Sequence, residues 1–366
     1  MHECLESKTG SSLAWIRFST KKPASMPSQK PAMPKVSHRS TRDKARRSKP
    51  SSSVYRVGNG SACDQALKQR GSVTVWFSPD AIQAWAYQGP GQRGAQFLYS
   101  DLAIETALTL RLIYHLPLRQ TEGFVESIVQ LMGLDLSAPD HSTLSRRQRS
   151  LQVELATRSV QVPIHVVVDS SGLNVYGEGE WKVRQHGWSV RRTWRKLHLG
   201  VNEATGEIVA ETLTENNVDE ASQVEPLLEQ IDDEVETLGS DGGYDKHKVV
   251  EALADPPQED PIQPLIALRK DAKIQQHGHG KAPPLARDQI LRAIRKKGRK
   301  QWKDQSGYHR RSLAETQRFR YTQIIGDKLR ARGLANQQVE SRLGCAILNQ
   351  MTHLGRPESY KVEKIN

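Results

Sequence analysis

Hydrophobic and polar positions change their period twice along this chain of 366 residues. Residues 1–53 are rich in Ser, Pro, Lys and Arg, and "HRSTRDKARRSKPSSS", which holds almost nothing that can be buried, predicts a disordered basic tail. Met26 and Met33 inside it are alternative starts. From Val54 the spacing turns helical. "SDLAIETALTLRLIYHLPL" opens on a Ser/Asp cap and carries Leu102, Leu108, Leu112 and Leu116 before Pro117 stops it. "RQTEGFVESIVQLM" predicts a second helix ending at Gly133, and "SAPDHSTLSRRQR" a third, capped by Asp140 or Ser142. Residues 54–160 thus read as a small all-α domain.

From Gln161 the period drops to two. "IHVVVDSSG" predicts a strand ending at Asp169, and "WRKLHLGVN" and "EIVAETLTE" a strand pair joined by the turn "EATG". "VDEASQVEPLLEQIDDEV" reads as one amphipathic helix, with Val218, Ala221, Val224, Leu228 and Ile231 on one side. "VETLGSDGGYD" predicts a strand ending at Asp241, "KHKVVEALA" a helix and "PLIALR" a strand. That order suits an α/β fold, a mixed sheet with helices on its faces, over residues 161–340. Residues 341–366 are left as a C-terminal tail.

Charge narrows the function. Lys and Arg total 53 against 41 acids, a net +12, which favours a polyanionic partner, DNA above all. The three cysteines, Cys4, Cys63 and Cys345, lack CxxC spacing, so neither a disulfide framework nor a zinc site is indicated. No apolar run approaches the roughly 18 residues needed to span a bilayer, and no signal-peptide pattern opens the chain. A soluble protein of the cytoplasm is expected, with no membrane partner. The third helix can present Arg146 and Arg147 to a DNA groove, or pack on the core with a solvated basic face. "WKVRQHGWSVRRTWRK" (181–196) and "RAIRKKGRKQWK" (292–303) interleave Trp with Lys and Arg and contain no acid. Arg191, Arg192, Trp194 and Arg195 in the first can follow a phosphate backbone, or belong to a solvated loop. "HGHG" (277–280) lacks a third ligand and reads as a loop.

Three acids stand out by position. Asp169 and Asp241 each end a strand, and neighbouring strand ends form the usual crevice for chemistry in an α/β sheet. Two carboxylates placed together repel unless one protonates or a cation binds, and Mg²⁺ or Mn²⁺ suits such a site. A single Asp at a strand end is ordinary turn chemistry, and Asp219, Asp232, Asp233 and Asp245 are equally available decoys. Discrimination comes from "SGYHRRSLAE", where Tyr308, Arg311, Glu315, Arg318 and Thr322 fall along one helical stripe. Leu313, Ala314, Tyr321, Ile324 and Ile325 form the adjoining apolar face. Glu315 then faces a cleft while Tyr308, Arg311 and Arg318 contact phosphate.

Tyr308, Arg311 and Glu315 reproduce the Y-(2)-R-(3)-E spacing of insertion-sequence transposases with a DDE triad. The stretches "DSSGLNVYGEGEWKVRQHGWSVRRTWRKLHLGVNEATGEIVAETLTENNVDEAS", "DGGYD", "RGSVTVWFSPDAIQAW" and "PDHSTLSRR" resemble the IS5 family of bacterial transposases, from about Tyr55 to about Tyr360. The resemblance implies an RNase H-like core, two Mg²⁺ or Mn²⁺ ions, and cleavage and strand transfer at the inverted-repeat ends of an insertion sequence. It also implies a target DNA, a homodimer in the DNA complex and a place at the bacterial nucleoid. By position Asp169, Asp241 and Glu315 are the catalytic and metal-binding acids. The family pattern has Lys seven residues after the Glu, where this chain has Thr322; Arg318 or Arg320 can supply the charge. An RNase H-like nuclease that never joins strands, and a DNA-binding repressor without catalysis, are the competing readings.

Overall fold

The computed structural model describes residues 54–362, apart from 92, 95, 176–193, 259 and 276–284. The expected basic tail, Arg191, Arg192 and the HGHG segment lie outside the described residues.

The chain enters through β1 (Val54–Val57) and a run of short helices, α1 (Gly60–Arg70), α2 (Val73–Trp76) and α3 (Pro79–Gln83). Three helices follow: α4 (Asp101–Ile113), α5 (Leu118–Leu131) and α6 (His141–Gln148). Their caps are those the sequence predicts. Ser100 accepts the Ala103 N–H at the start of α4, and Asp140 accepts the N–H groups of Ser142 and Thr143 at the start of α6. Gly133, with φ +65°, takes the left-handed conformation beyond the end of α5. Leu102 departs from the expected apolar stripe and is exposed, since the buried face of α4 runs through Ala103, Ile104, Ala107, Leu108 and Leu110.

The sheet combines β2 (Ile164–Val175), β3 (Trp194–Asn202), β4 (Ile208–Glu215), β5 (Val235–Ser240), β6 (Gln263–Ile266) and β7 (Lys328–Leu329). It has six strands in the order β4-β3-β2-β5-β6, with β7 pairing the end of β2. The β2–β3 and β3–β4 pairs are antiparallel; β2–β5, β5–β6 and β2–β7 are parallel. The mixed sheet expected from the pattern is therefore present, but β2 does not stop at Asp169. Pairing with β3 continues to Asn174, and β7 adds a second neighbour at Asn174 and Val175. "SSG" looks like a turn in sequence, yet Gly172 serves close approach: a Cβ there would lie 3.2 Å from the Trp194 ring.

The single helix expected over "VDEASQVEPLLEQIDDEV" is also broken, into a 3₁₀ turn (Glu220–Gln223) and α7 (Val224–Leu228). Pro226 lacks an N–H for the Ser222 carbonyl and its ring crowds that turn, so the α-helix can begin only just before it. Beyond β5 come a 3₁₀ turn (Gly242–Tyr244) and α8 (His247–Ala254). After β6 lie α9 (Ala286–Lys297), α10 (Arg299–Gln305), a 3₁₀ turn (Tyr308–Arg311) and α11 (Ser312–Ile324). The chain closes with α12 (Leu334–Leu354) and β8 (Ser359–Val362), which pairs antiparallel with β1.

Alternation along β2 sorts the layers. Val167 enters one core with Leu108, Val125 and Leu144 of the helical region and Leu343, Leu348 and Met351 of α12. Val166 and Val168 enter the other core, with Val224, Leu238 and Val249. Two expected boundaries change as a result. The helices of residues 54–160 share a core with the sheet rather than closing on themselves. Residues 341–354 are the second half of α12, not a tail, and Ser341, Cys345 and Leu348 are completely buried there. Asn349 fixes that helix to the sheet, donating to the Leu155 and Ile208 carbonyls at 2.8 Å and accepting the Ile208 N–H at 2.8 Å. Leu343, Cys345, Ile347, Leu348 and Met351 of this segment all enter the core shared with the sheet.

Candidate active site

Asp169 has the same parity on β2 as Val167, so it points to the face that α11 covers with Ala314 and Tyr321. Register supplies its first companion. Val166 pairs with Leu238 and Val167 with Gly239; two residues further, that offset carries Asp169 level with Asp241. Asp241 follows β5 directly, and its Oδ1 accepts the Gly243 N–H at 2.8 Å. That bond turns the chain at the strand end. A Cβ on Gly243 would lie 2.9 Å from the same oxygen, so glycine is what allows the turn to close this tightly.

Glu315 comes from the first turn of α11. Gly307, with φ +71°, redirects the chain into the 3₁₀ turn that feeds this helix. Asp169, Ser170, Asp241, Arg311, Glu315, Arg318, Phe319 and Thr322 line one open cleft of about 520 Å³. The three acids singled out in the sequence therefore meet in one place. Burial holds the Asp169 carboxyl above its ordinary range; the Ser170 N–H opposes this, Asp241 adds to it, and Arg311 and Arg318 oppose it. Arg311 Nη2 donates to Glu315 Oε1 at 2.6 Å. Among the described residues, no three His, Cys, Asp or Glu side chains converge closely enough to hold a metal ion. The donor set nonetheless suits a hard cation, because it is all carboxylate oxygen and Asp241 adds to the electrostatic cost of ionising Asp169.

Several residues expected to contact DNA are committed elsewhere. Tyr308 is buried, its ring 5.7 Å from that of Trp302, with the Lys303 ammonium 4.7 Å from its centroid. Tyr308 therefore supports Arg311 from behind instead of reaching phosphate. Trp302 belongs to the same small core with Ala267 and Ile294, which removes it from base stacking. Arg147 is buried as well. It donates to the Tyr99 carbonyl at 2.9 Å and to Asp101 Oδ1 at 2.7 Å, and lies 3.9 Å over the Phe97 ring. Helix α6 buries Leu144, Arg147 and Gln148, leaving Arg146 on its exposed side. Arg195 is braced by Gln337 at 2.9 Å and by Glu215 at 3.8 Å. Trp194 is half-buried against Gly172. Among the described residues, Arg311 and Arg318 are the members of the expected set that line the cleft.

Three of the four decoys resolve in the same way. Asp245 is a buried partner of Arg287 at 2.6 Å, Asp219 pairs with Lys246, and Asp233 accepts from Ser159 at 3.2 Å. Sequence reasoning missed Ser170, Phe319 and Glu220. Phe319, 64% exposed, is an aromatic side chain open to solvent in the cleft. Glu220 Oε2 and Asp241 Oδ1 both lie within 3.8 Å of the point where a Gly243 Cβ would be. Glu220 also pairs with Lys196 at 3.5 Å. The break before Pro226 was the available signal that Glu220 heads a turn rather than lying along a helix.

Residues 161–350 match a family model described as Transposase DDE domain. Residues 68–178 match a second model with the same description, and the two overlap across Asp169. The first match spans more than half of the chain, and the mixed sheet flanked by helices is the RNase H-like arrangement of such a domain. The chain belongs to the DDE transposases.

Proposed function

We propose that this transposase cuts DNA at the inverted-repeat ends of an insertion sequence of the IS5 group and joins those ends to target DNA. The observation that carries the reading is the meeting of Asp169, Asp241 and Glu315, from two strands and a helix far apart in sequence, in one cleft with Arg311 and Arg318. Each cut forms a bond from a water oxygen to phosphorus and breaks the bond from phosphorus to a sugar oxygen. Joining repeats this displacement with a DNA hydroxyl in place of water. Two Mg²⁺ or Mn²⁺ ions held by the three carboxylates would supply charge neutralisation at phosphorus and at the departing oxygen. Arg311 and Arg318 bind the phosphates on either side of the scissile bond, with the planar guanidinium of Arg311 suited to bidentate contact. DNA phosphate competes with Glu315 for Arg311, and so releases the carboxylate into the cleft as substrate arrives. Two copies act together, one on each end of the element, in the bacterial cytoplasm at the nucleoid.

Asp169→Asn is the test. It keeps the shape of the side chain and removes the charge, so end DNA should still bind while cleavage in Mg²⁺ or Mn²⁺ falls by orders of magnitude. Cleavage at the wild-type rate would remove Asp169 from the mechanism. Cutting without joining in the wild-type protein would favour the nuclease, and binding without either would favour a repressor.

A further inference from the structure

A second cavity, of about 590 Å³, lies between the end of α4, the start of α5 and the segment that leads from α11 into β7. It shares no lining residue with the carboxylate cleft. Arg111, Lys328 and Arg330 supply cationic side chains, His115 stands at one side, and Leu118 and Ile325 give an apolar wall.

Arg111 is the anomaly. It is 4% exposed, and its Nε has no hydrogen-bond partner among the described residues. The nearest carboxylate, Glu340, stands 4.0 Å from Nη1. Both Glu340 oxygens are already engaged, accepting the N–H groups of Arg330 at 2.9 Å and Ala331 at 2.8 Å. Burial holds the guanidinium below its ordinary value and Arg330 lowers it further, against the pull of Glu340. A guanidinium has five N–H donors, and burying it so poorly paired is costly unless an anion completes it.

A second observation points the same way. The 14-residue helix α5 begins at this cavity with Pro117 as its cap residue, which provides no side-chain hydrogen bond, and its first turn contains no acid. Among the described residues, neither a cap side chain nor a first-turn acid offsets its leading N–H groups and the positive end of its dipole. Asp327 is the acid on the wall, and Asn174 donates to its carboxylate at 3.3 Å. Arg111, Lys328 and Arg330 stand around the cavity, with Asp327 on its wall and Glu340 behind Arg111. Arg330 Nη1 also reaches the Leu116 carbonyl at 3.4 Å, tying the wall to the end of α4.

We infer that this cavity is a binding site for the phosphate of a nucleotide, separate from the carboxylate cleft, with the nucleoside against Leu118 and Ile325. The volume is in the range of small-ligand sites, about 300–1,000 Å³. A charged wall facing an apolar one matches a ligand with a phosphate at one end and a flat, weakly polar body at the other. The same chemistry is offered by a free mononucleotide and by a nucleotide within a DNA chain.

The full-length protein is titrated calorimetrically, at fixed ionic strength, with dAMP, deoxyadenosine and a short single-stranded oligonucleotide. dAMP is expected to bind saturably and deoxyadenosine at least about tenfold more weakly, as for loss of one charge-assisted contact. Arg111→Met, similar in length and apolar, should weaken dAMP about tenfold. Lys328→Ala, at an exposed position, guards against misfolding of the buried variant and should also weaken it. Arg318→Ala, in the other cleft, should leave it unchanged. If dAMP does not bind but Lys328→Ala weakens the oligonucleotide while Arg318→Ala does not disturb that effect, the nucleotide belongs to DNA and the site stands. Affinities for both probes that respond to Arg318→Ala alone, or to none of the three variants, overturn the site.

Discussion

Thr322 stands where the IS5 pattern that the sequence resembles has Lys, and the structure gives the consequence of placing a Lys there. Seven residues at about 1.5 Å each place Thr322 about 10 Å beyond Glu315 along α11, and seven steps of about 100° return it to within about 20° of the same direction. It lines the cleft with Arg311 and Arg318, and its hydroxyl donates to the Arg318 carbonyl at 3.0 Å. That bond within the helix contributes little, and Lys has the better helix propensity, so Thr322→Lys should leave folding stability unchanged within about 0.5 kcal/mol. One added phosphate contact steepens the slope of log K against log salt by about 0.9, which near 0.1 M salt is about an eightfold gain in affinity. Arg318 lies four residues earlier on the same face, and that like-charge pair takes back about 0.2–0.5 kcal/mol, or about twofold. The net expectation is roughly a fourfold gain at 0.1 M salt with a slope steeper by about one, equally for end DNA and unrelated DNA, because phosphate contacts do not read sequence. Fluorescence anisotropy at several salt concentrations, with thermal unfolding alongside, measures both. An unchanged slope with a lowered melting temperature would refute the placement of this helix face, and with it the phosphate role of Arg318.

Two further variants separate structural from binding charge. Arg147→Ala removes two hydrogen bonds and a ring contact from a buried guanidinium, so urea unfolding should show a loss of about 2–3 kcal/mol with no change in salt slope; a flatter slope at unchanged stability would return Arg147 to the DNA surface. Glu211 concerns pH. Burial raises its carboxyl to about 7, against the Ser341 hydroxyl at 2.5 Å and nearby Arg342. A folded value above the unfolded one means its contribution is full below about 4.5 and lost as pH rises to about 7, roughly 3 kcal/mol in all. Glu211→Gln should therefore gain stability over wild type progressively between pH 5 and pH 7.5 in denaturant titrations, and a difference that stays flat over that range would remove Glu211 as the cause.

Local signals in the sequence were enough for the elements whose cause is local. The Ser100 and Asp140 caps, the β-branched run that opens β2 and the glycines after Asp241 act over a few residues, so the chain itself declares them. Asp169, Asp241 and Glu315 stood out in the sequence by their place near strand ends and by the spacing from Tyr308 to Glu315, and the fold brings the three to line one cleft. What could not be read was which side chains the fold would consume. Arg147 and Arg195 look like DNA-binding arginines until Tyr99, Asp101, Gln337 and Glu215 are brought to them from other elements. Residues 341–354, left as part of a C-terminal tail, carry apolar side chains that pack in the core, and the polar Asn349 and Ser341 among them are buried where the sheet supplies partners. Strand β2 runs past Asp169 because β3 and β7 offer ladder partners that no local pattern announces. Hydrogen-bond and charge satisfaction are settled between residues distant in sequence, so local periodicity determined the elements, and only tertiary packing decided which acids share a cleft and which cations stay exposed.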